Sequence, residues 1–562
     1  MCECCQFPIA NGQLGIGNWN WILATLATFL PLLALSSSFA AELNPVQNNS
    51  AWYLPPGAHV EGDTLVVEIA PEATGRRDVR ASAEIDIADA FAAMQCVAVT
   101  VGVRGRDVSE PPHAWQGVKV QLSYTDFFGD RVYRDAALPR GTFDRTNVTV
   151  RVSPLLAPLG IPGGRVSLLL GLEGCSGRAE FDLASLTIEA EDTGIPRANQ
   201  DWVVRHPENE QTDLLTPNGV RGNVSRVSGE QIRVFPPLRG CMLPQRSTTE
   251  DDIETLHRWG ATLARFQITR DFGKVDANSD LAEYAAWVDS RLDNLDGVLR
   301  WAEARSMKIC VDLHSTPGGI RAGDRATAML YDERLADAYV ETWRRIATRF
   351  SGHPALYGYD LVNEPKQVAF APISYWDIQR RAAEVIRAID LATPIIVESN
   401  VSASPTSFAY LQPFPMDNVI YQLHLYAPGD YTHQGVGRAL KKEGRPLVWP
   451  DPSRGWDIEY LRRVLEPVRD FQRRHGSRIY VGEFSAAAWA PGADVYLRDC
   501  ISLFEEYGWD WTYHAFREWG PWSVEHETAA PGRPSVPAAN TPRKHALLEG
   551  FGLGSAPASA AP

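Results

Sequence analysis

Cysteine is scarce in this chain and badly placed for cross-linking. Of eight cysteines in 562 residues, Cys2, Cys4 and Cys5 crowd the first five positions, which leaves Cys96, Cys175, Cys241, Cys310 and Cys500. The remainder is odd, which excludes a fully bridged disulfide scaffold. Cys96 and Cys175 share the N-terminal region, where a bridge between them and two buried thiols are both open. None of these five stands at metal-ligand spacing, and neither a metal nor an organic cofactor is expected. Runs rich in Lys and Arg are missing as well. With a formal net charge of −15 there is no basic patch to meet a phosphate backbone, so nucleic acid is not expected as a partner.

The most apolar stretch is residues 21–35 (WILATLATFLPLLAL). It falls short of the ~20 residues needed to cross a bilayer and is interrupted by Pro31. It has the length of a signal-peptide core and ends at Ser38-Phe39-Ala40, a small-x-small cleavage pattern. Residues 1–40 are therefore read as a signal peptide. The mature protein is expected to be secreted, extracellular or periplasmic, with no membrane contact after cleavage. One departure is the lack of any Lys or Arg ahead of the run.

Tryptophan is plentiful, with 17 copies. Each is read first as a packing residue; those near loops and strand ends also suit stacking against sugar rings. The length exceeds the ~250–300 residues at which a single core stops growing, so more than one domain is expected. Residues 43–192 carry short alternating runs at 64–69, 96–103, 118–124, 147–152, 166–172 and 179–189, separated by Gly, Pro and Asp. That spacing predicts an all-β sandwich. Trp115, Tyr124 and Phe127 are its candidate platforms, against the alternative of a sandwich with no ligand. Residues 193–235 read as a linker and barrel-closing segment, with 218–234 forming a hairpin at the base of the next domain.

From 236 to 552 the pattern changes. Eight short apolar runs, at 239–243, 262–268, 308–313, 356–362, 394–398, 419–426, 478–484 and 511–516, alternate with helical stretches. Near-continuous apolar runs suit parallel strands buried on both faces. Trp343, Ile346, Ala347 and Phe350 fall on one helical stripe. Thr248 or Thr249 ahead of Asp251 and Asp252 marks a helix start, since acidic groups favour the positive end of a helix. Eight such units predict a closed (β/α)8 TIM barrel in the α/β class, preceded by the sandwich, jelly-roll-like in form. Residues 553–562 read as a flexible tail, and a monomer is expected.

In such a barrel the reactive groups sit at the C-terminal ends of the strands. Those ends carry Arg265, His314, Asn363 with Glu364, Glu398 with Asn400, His424 with Tyr426, Glu483, and Arg517-Glu518-Trp519. Taken singly, each has a plain structural explanation. Together they make a constellation suited to cleaving a glycosidic bond, which needs one carboxylic acid to protonate the leaving oxygen and a second carboxylate to attack carbon. Glu364 and Glu483, on facing strands, are the expected pair. A separation of about 5–5.5 Å would mean retention, and about 6.5–9.5 Å inversion.

The run Leu361-Val-Asn-Glu-Pro365 resembles the signature of clan A glycosidases. With Arg265 in ATLARFQI, His314 in VDLHSTPGG, His424 and Tyr426 in YQLHLY, and Glu483 in YVGEF, the chain looks like glycoside hydrolase family 5, the cellulase family, over the whole barrel. The resemblance implies Glu364 as acid/base and Glu483 as nucleophile, kept ionised by Arg265 and oriented by Tyr426. It implies Asn363 on the sugar 2-hydroxyl, with His314 and His424 lining the subsite. For the aromatic platform on the eighth strand the aligned position is Phe516, with Trp519 the favoured replacement. Glu398 is read first as structural.

The residues of SGRAEFDLASL at 176–186 resemble the closing strand of jelly-roll carbohydrate-binding modules. The expected function is a retaining endo-β-1,4-glucanase acting on a β-glycan polysaccharide or oligosaccharide. A β-mannanase or other β-glycanase of the same family is the alternative. A non-catalytic carbohydrate-binding protein is the alternative of another class. Tyr331, Trp376, Tyr431, Trp449, Trp456, Trp489 and Trp522 are candidate cleft aromatics.

Overall fold

The computed structural model describes residues 52–553 apart from 73–77, 114, 137, 196–222, 227–231 and 437–445. The expected leader, much of the linker and nearly all of the tail lie outside the described residues. The chain divides into two compact units. The smaller takes the segments up to Ala90, Val97–Val152 and Pro162–Glu191; the larger takes Phe91–Cys96, Ser153–Ile161 and everything from Asp192 onward.

The smaller unit is built from two antiparallel sheets. One orders its strands Ala58–Glu61, Thr64–Ile69, Gly177–Asp192, Gln95–Arg106, Phe143–Val152; the other Asp78–Asp86, Arg165–Glu173, Gly117–Thr125, Arg131–Asp135. Alternation builds the core between them. Val166, Leu168, Leu170 and Leu172 are all fully buried at a spacing of two, as are Val97, Val99, Val101 and Val103. Tyr124 belongs to this interior and is 2% exposed, so it offers no platform, whereas Trp115 is 60% exposed. Cys96 and Cys175 are buried thiols. The strands Ala58–Glu61, Asp78–Asp86 and Arg131–Asp135 are additions to the sequence reading.

In the larger unit eight parallel strands close into a barrel, the first pairing with the eighth. They are Arg239–Met242, Leu263–Gln267, Lys308–Asp312, Leu356–Asp360, Ile395–Glu398, Val419–Leu425, Arg478–Phe484 and Asp510–Tyr513, named below as the first to the eighth. Helices Glu250–Arg258, Leu281–Glu303, Glu333–Phe350 and Tyr375–Arg387 follow the first four, and Ile458–His475, Ala493–Tyr507 and Pro542–Gly550 the last three. The fifth crossover departs from the eightfold pattern. It has only short turns, among them Pro405–Ala409. Pro405, Pro413 and Pro415 crowd this connection, and proline removes the N–H donors a longer helix would need.

Local chemistry sets the helix starts. Thr249 caps the first helix, accepting from the Asp252 N–H while Asp252 accepts from the Thr249 N–H. Trp343, Ile346, Ala347 and Phe350 face inward from the third helix. The hairpin Asn223–Arg226 with Ile232–Phe235 forms, and the Phe235 ring lies 4.4 Å from the guanidinium carbon of Arg478, at the start of the seventh strand. The eighth strand stops at Tyr513 rather than at 516. Phe516 is therefore off the strand and fully buried, packed edge-on against Trp259.

Toward its base the barrel interior is largely apolar: Leu263, Cys310, Tyr357, Ile396, Ile420 and Tyr480 form one cluster, and Tyr357 Oη donates to Asp510, which is paired with Arg478 in a buried ion pair. Cys310 acts there as a small hydrophobe.

Candidate active site

Side chains two residues apart on a strand point the same way, so each base residue has a partner one layer up. Above Leu263 stands Arg265, above Cys310 Asp312, above Ile396 Glu398, and above Ile420 Gln422. Register shifts where the third and fourth strands pair, and where the sixth and seventh pair, offset the fourth and seventh strands by one residue. Asp360 and Glu483 thereby complete the layer. The sequence run is apolar, yet this layer holds four carboxylates around one guanidinium.

Arg265 is fully buried and organises the layer. Its Nε donates to Asp360 Oδ2 at 2.8 Å and its Nη1 to Glu483 Oε1 at 2.7 Å. Its Nη2 donates to Asn363 Oδ1 and to Glu398 Oε1, each at 3.0 Å, and lies 3.3 Å from Asp312 Oδ1. The other oxygen of Glu483 accepts from Tyr426 Oη at 2.8 Å and lies 3.1 Å from His514 Nδ1. Glu364 stands at the mouth, four residues beyond the end of the fourth strand. Its Oε1 is 3.1 Å from His424 Nδ1. Carboxylate oxygens of Glu364 and Glu483 lie within 4.8 Å of one another. That is on the short side of the division between a carboxylate that attacks directly, about 5–5.5 Å, and one that leaves room for water, about 6.5–9.5 Å.

The two glutamates differ in surroundings. Burial pushes the Glu483 carboxyl up, but His424, His514 and Arg265 outweigh it and hold it well below the usual carboxylate range. His514 is the counterpart. Burial opposes its charge, yet Glu483 and Glu518 raise it to about 10. Both of its nitrogens face acceptors, as an imidazolium requires. Glu364 is partly open, bordering a cavity of about 160 Å³ that is also lined by Phe272, His314, Thr316, Asn363 and Lys366. His314 is anchored by Asp312 at 2.7 Å. Burial disfavours its charge, and Asp312 more than compensates, so its pKa is raised. Asn363 Nδ2 is buried with no hydrogen-bond partner among the described residues.

Arg265, His314, Asn363, Glu364, His424, Tyr426 and Glu483 are thus brought to one place. Trp519 stands in a different position, on the loop beyond the eighth strand, 44% exposed and edge-on to Trp522 at 5.4 Å. Two residues from the strand-end set turn away. Asn400 is fully buried and bonds the Gln367 backbone. Arg517 pairs with Asp251, Asp252 and Glu525. Among the candidate cleft aromatics, Tyr431 and Trp449 are buried and pack on Tyr496, so they are core.

His514, Asp312, Asp360 and Gln422 went unmarked in the sequence. Asp312 and Gln422 carried a signal, each lying two residues before a marked histidine and so on the same face of its strand. His514 lies just past the end of the eighth strand, inside an apolar run that continues to Phe516, so nothing in the sequence marks it as a strand-end residue. Glu364, His424 and Glu483 also have the spacing of cation ligands. The oxygens of Glu483 already accept from Arg265 and Tyr426, so this donor set fits carboxyl chemistry better than a cation.

A closed eight-stranded barrel with two carboxyl groups this close at its C-terminal mouth defines the class: a glycoside hydrolase. The profile of Cellulase (glycosyl hydrolase family 5) matches residues 225–518, just over half of the chain, and the chain belongs to that family. It is a retaining enzyme, as members of that clan are. Endoglucanase C of Acetivibrio thermocellus is 26% identical over 295 residues, which span 47% of this chain and 83% of that protein. Cellodextrinase A of Ruminococcus flavefaciens is 25% identical over 242 residues, 42% of this chain and 68% of that protein. Among solved structures, endoglucanase Cel5A from the hyperthermophilic Thermotoga maritima covers 56% of this chain and 96% of its own, at 19% identity and a TM-score of 0.43. The family match lies outside the N-terminal sandwich.

Proposed function

We propose that the protein is an endo-β-1,4-glucanase in which Glu483 is the nucleophile and Glu364 the acid/base. The observation that carries this reading is the pairing of two carboxyl groups within 4.8 Å in unequal surroundings. Glu483 is bound by a guanidinium, a phenol and an imidazole, which keep it ionised. Glu364 borders the open cavity, where a leaving group can reach it. In the first step Glu483 bonds to the anomeric carbon as the glycosidic C–O bond breaks, and the proton of Glu364 goes to the departing oxygen. In the second, water attacks that carbon, Glu364 takes its proton, and the ester to Glu483 breaks. Asn363 Nδ2, which no group among the described residues engages, suits the sugar 2-hydroxyl. His314 and His424 line the same subsite. Trp519 is exposed where Phe516 is buried, so Trp519 is the aromatic platform. The endoglucanases among the relatives support β-1,4-glucan as substrate.

Carboxymethylcellulose tests this reading. The expected result is a fall in viscosity that outruns reducing-sugar release, with the β-anomer formed first by NMR. Faster release from mannan would move the substrate to β-mannan, and no release from any β-glycan would leave only a binding protein. The sandwich is proposed to hold polymer through Trp115, and the apolar run at 21–35 to direct export. Trp115→Ala is expected to weaken retention on insoluble cellulose while leaving hydrolysis of soluble cello-oligosaccharides unchanged. Equal retention would remove Trp115 from that role.

A further inference from the structure

Glu398 is one of the buried carboxylates that the two-step reaction leaves unused. It ends the fifth strand, is fully buried and is not among the residues lining the cavity beside Glu364. A buried carboxylate is costly unless its oxygens are occupied, so its partners show what it is for.

Its Oε2 accepts the backbone N–H of Glu364 at 2.7 Å. Glu364 has φ of 49°, the left-handed region, which is unfavourable for a non-glycine residue and persists only where the surroundings enforce it. The bond from Glu398 supplies that enforcement at the residue which must aim a proton. Its Oε1 accepts from Arg265 Nη2 at 3.0 Å and from the Gln422 amide. The same guanidinium holds Glu483 at 2.7 Å through Nη1. Oε1 also lies 3.6 Å from His424 Nε2, and the other nitrogen of that ring is 3.1 Å from the Glu364 carboxylate.

One side chain thus reaches the backbone of one reacting glutamate, the cation that binds the other, and the imidazole beside both. We propose that Glu398 is a positioning residue that fixes Glu364 and Glu483 relative to each other, through the Glu364 backbone on one oxygen and Arg265 on the other. The inference rests on the roles given above to Glu364 and Glu483. Glu398 is itself locked from outside the barrel: its N–H donates to Gln379 Oε1, and its carbonyl accepts from Gln379 Nε2. Gln379 lies on the helix Tyr375–Arg387. The clamp is therefore tied to the helix layer and does not depend on substrate.

The test uses the full chain with aryl β-cellobiosides whose leaving groups span a range of acidity. Glu398→Ala is expected to lower kcat on the poorest leaving groups by about 100-fold with KM within about threefold, the pattern of lost transition-state stabilisation with substrate binding kept. The dependence of kcat on leaving-group acidity should steepen, because a misaimed Glu364 protonates poorly. Glu398→Gln keeps volume and an acceptor for the Glu364 N–H but turns an NH2 donor toward Arg265 and the Gln422 amide, from which Oε1 accepts. It should lose roughly tenfold, again with a steeper slope. Should Glu398→Ala not fold, Glu398→Gln decides alone. A Glu398→Gln enzyme with wild-type kcat and slope, or a loss equal on every leaving group, overturns the proposal. Glu364→Ala run alongside separates the two levels. If it shows no leaving-group dependence, the acid/base assignment itself has failed; if it does and the Glu398 variants do not, only the clamp has.

Discussion

The two ends of the barrel interior are built on the same strands yet behave as different materials. At the base, Leu263, Cys310, Tyr357, Ile396, Ile420 and Tyr480 pack as an apolar plug. One layer up, the same strands present Arg265, Asp312, Asp360, Glu398, Gln422 and Glu483, all buried. The plug depends chiefly on volume and complementary shape, with Tyr357 Oη bonded to Asp510 and Tyr480 Oη to Thr512. The polar layer is satisfied only as a set, because one guanidinium answers four carboxylates and removing any member strands the others. Stability is thus concentrated at one end and chemistry at the other, which is the division of labour that barrels of this kind allow.

The sharpest way to expose that division is at Glu483. Glu483→Ala should reduce turnover on every substrate by on the order of 10⁴-fold or more, measured as initial rates on activated and natural glycosides alike; appreciable residual turnover would take the nucleophile elsewhere. Glu364→Ala should lose about 10²–10⁴-fold on β-glucan, the usual worth of general acid catalysis. On an activated aryl glycoside it should lose far less, and equal losses would contradict the acid/base role. At the base the expectation reverses. Ile396→Ala, which opens a cavity in the plug, should cost about 2–5 kcal/mol of stability, read by chemical denaturation, while kcat of the folded enzyme stays near wild type.

The smallest effect belongs to pH. The folded pKa of His514, about 10, is raised above the ordinary value of 6.5 by Glu483 and Glu518 against the effect of burial. Its stabilising contribution is therefore complete below about 6.5 and is lost as pH rises through about 10. Between pH 7 and 10 the wild-type unfolding midpoint should fall, and in His514→Gln part of that fall should disappear. An unchanged pH dependence in the variant would show that His514 is not charged in the folded state.

Legibility in the sequence followed the same physics. Barrel strands such as Val419–Leu425 are buried along their whole length and so read as apolar runs. In the sandwich, Asp78–Asp86 (DVRASAEID) hid because its inward residues include Ala81 and Ala83, too small to register as an alternation. Arg131–Asp135 hid because none of it is buried. At the site, residues one expects at strand ends were visible: Arg265, His314, Asn363, Glu364, His424, Tyr426 and Glu483. Asp312, Asp360 and Gln422 were not, because a buried polar residue within an apolar strand looks like an exception until its partner is known. Only the fold, by bringing Arg265 to 0% exposure among them, supplies that partner. Asn400 and Arg517 show the reverse error, since a strand-end position says nothing about where a side chain turns after the strand has ended.

The account stands most directly on a covalent bond to Glu483. A cellobioside carrying fluorine at carbon 2 and a very good leaving group should form the glycosyl ester and hydrolyse it slowly, since fluorine destabilises the positively charged transition states of both steps and the leaving group favours the first. Mass spectrometry of the digested enzyme should find the sugar on the peptide containing Tyr480-Val-Gly-Glu-Phe484, on Glu483 itself. A label on another residue, or steady turnover with no covalent adduct and an inverted product, would contradict it.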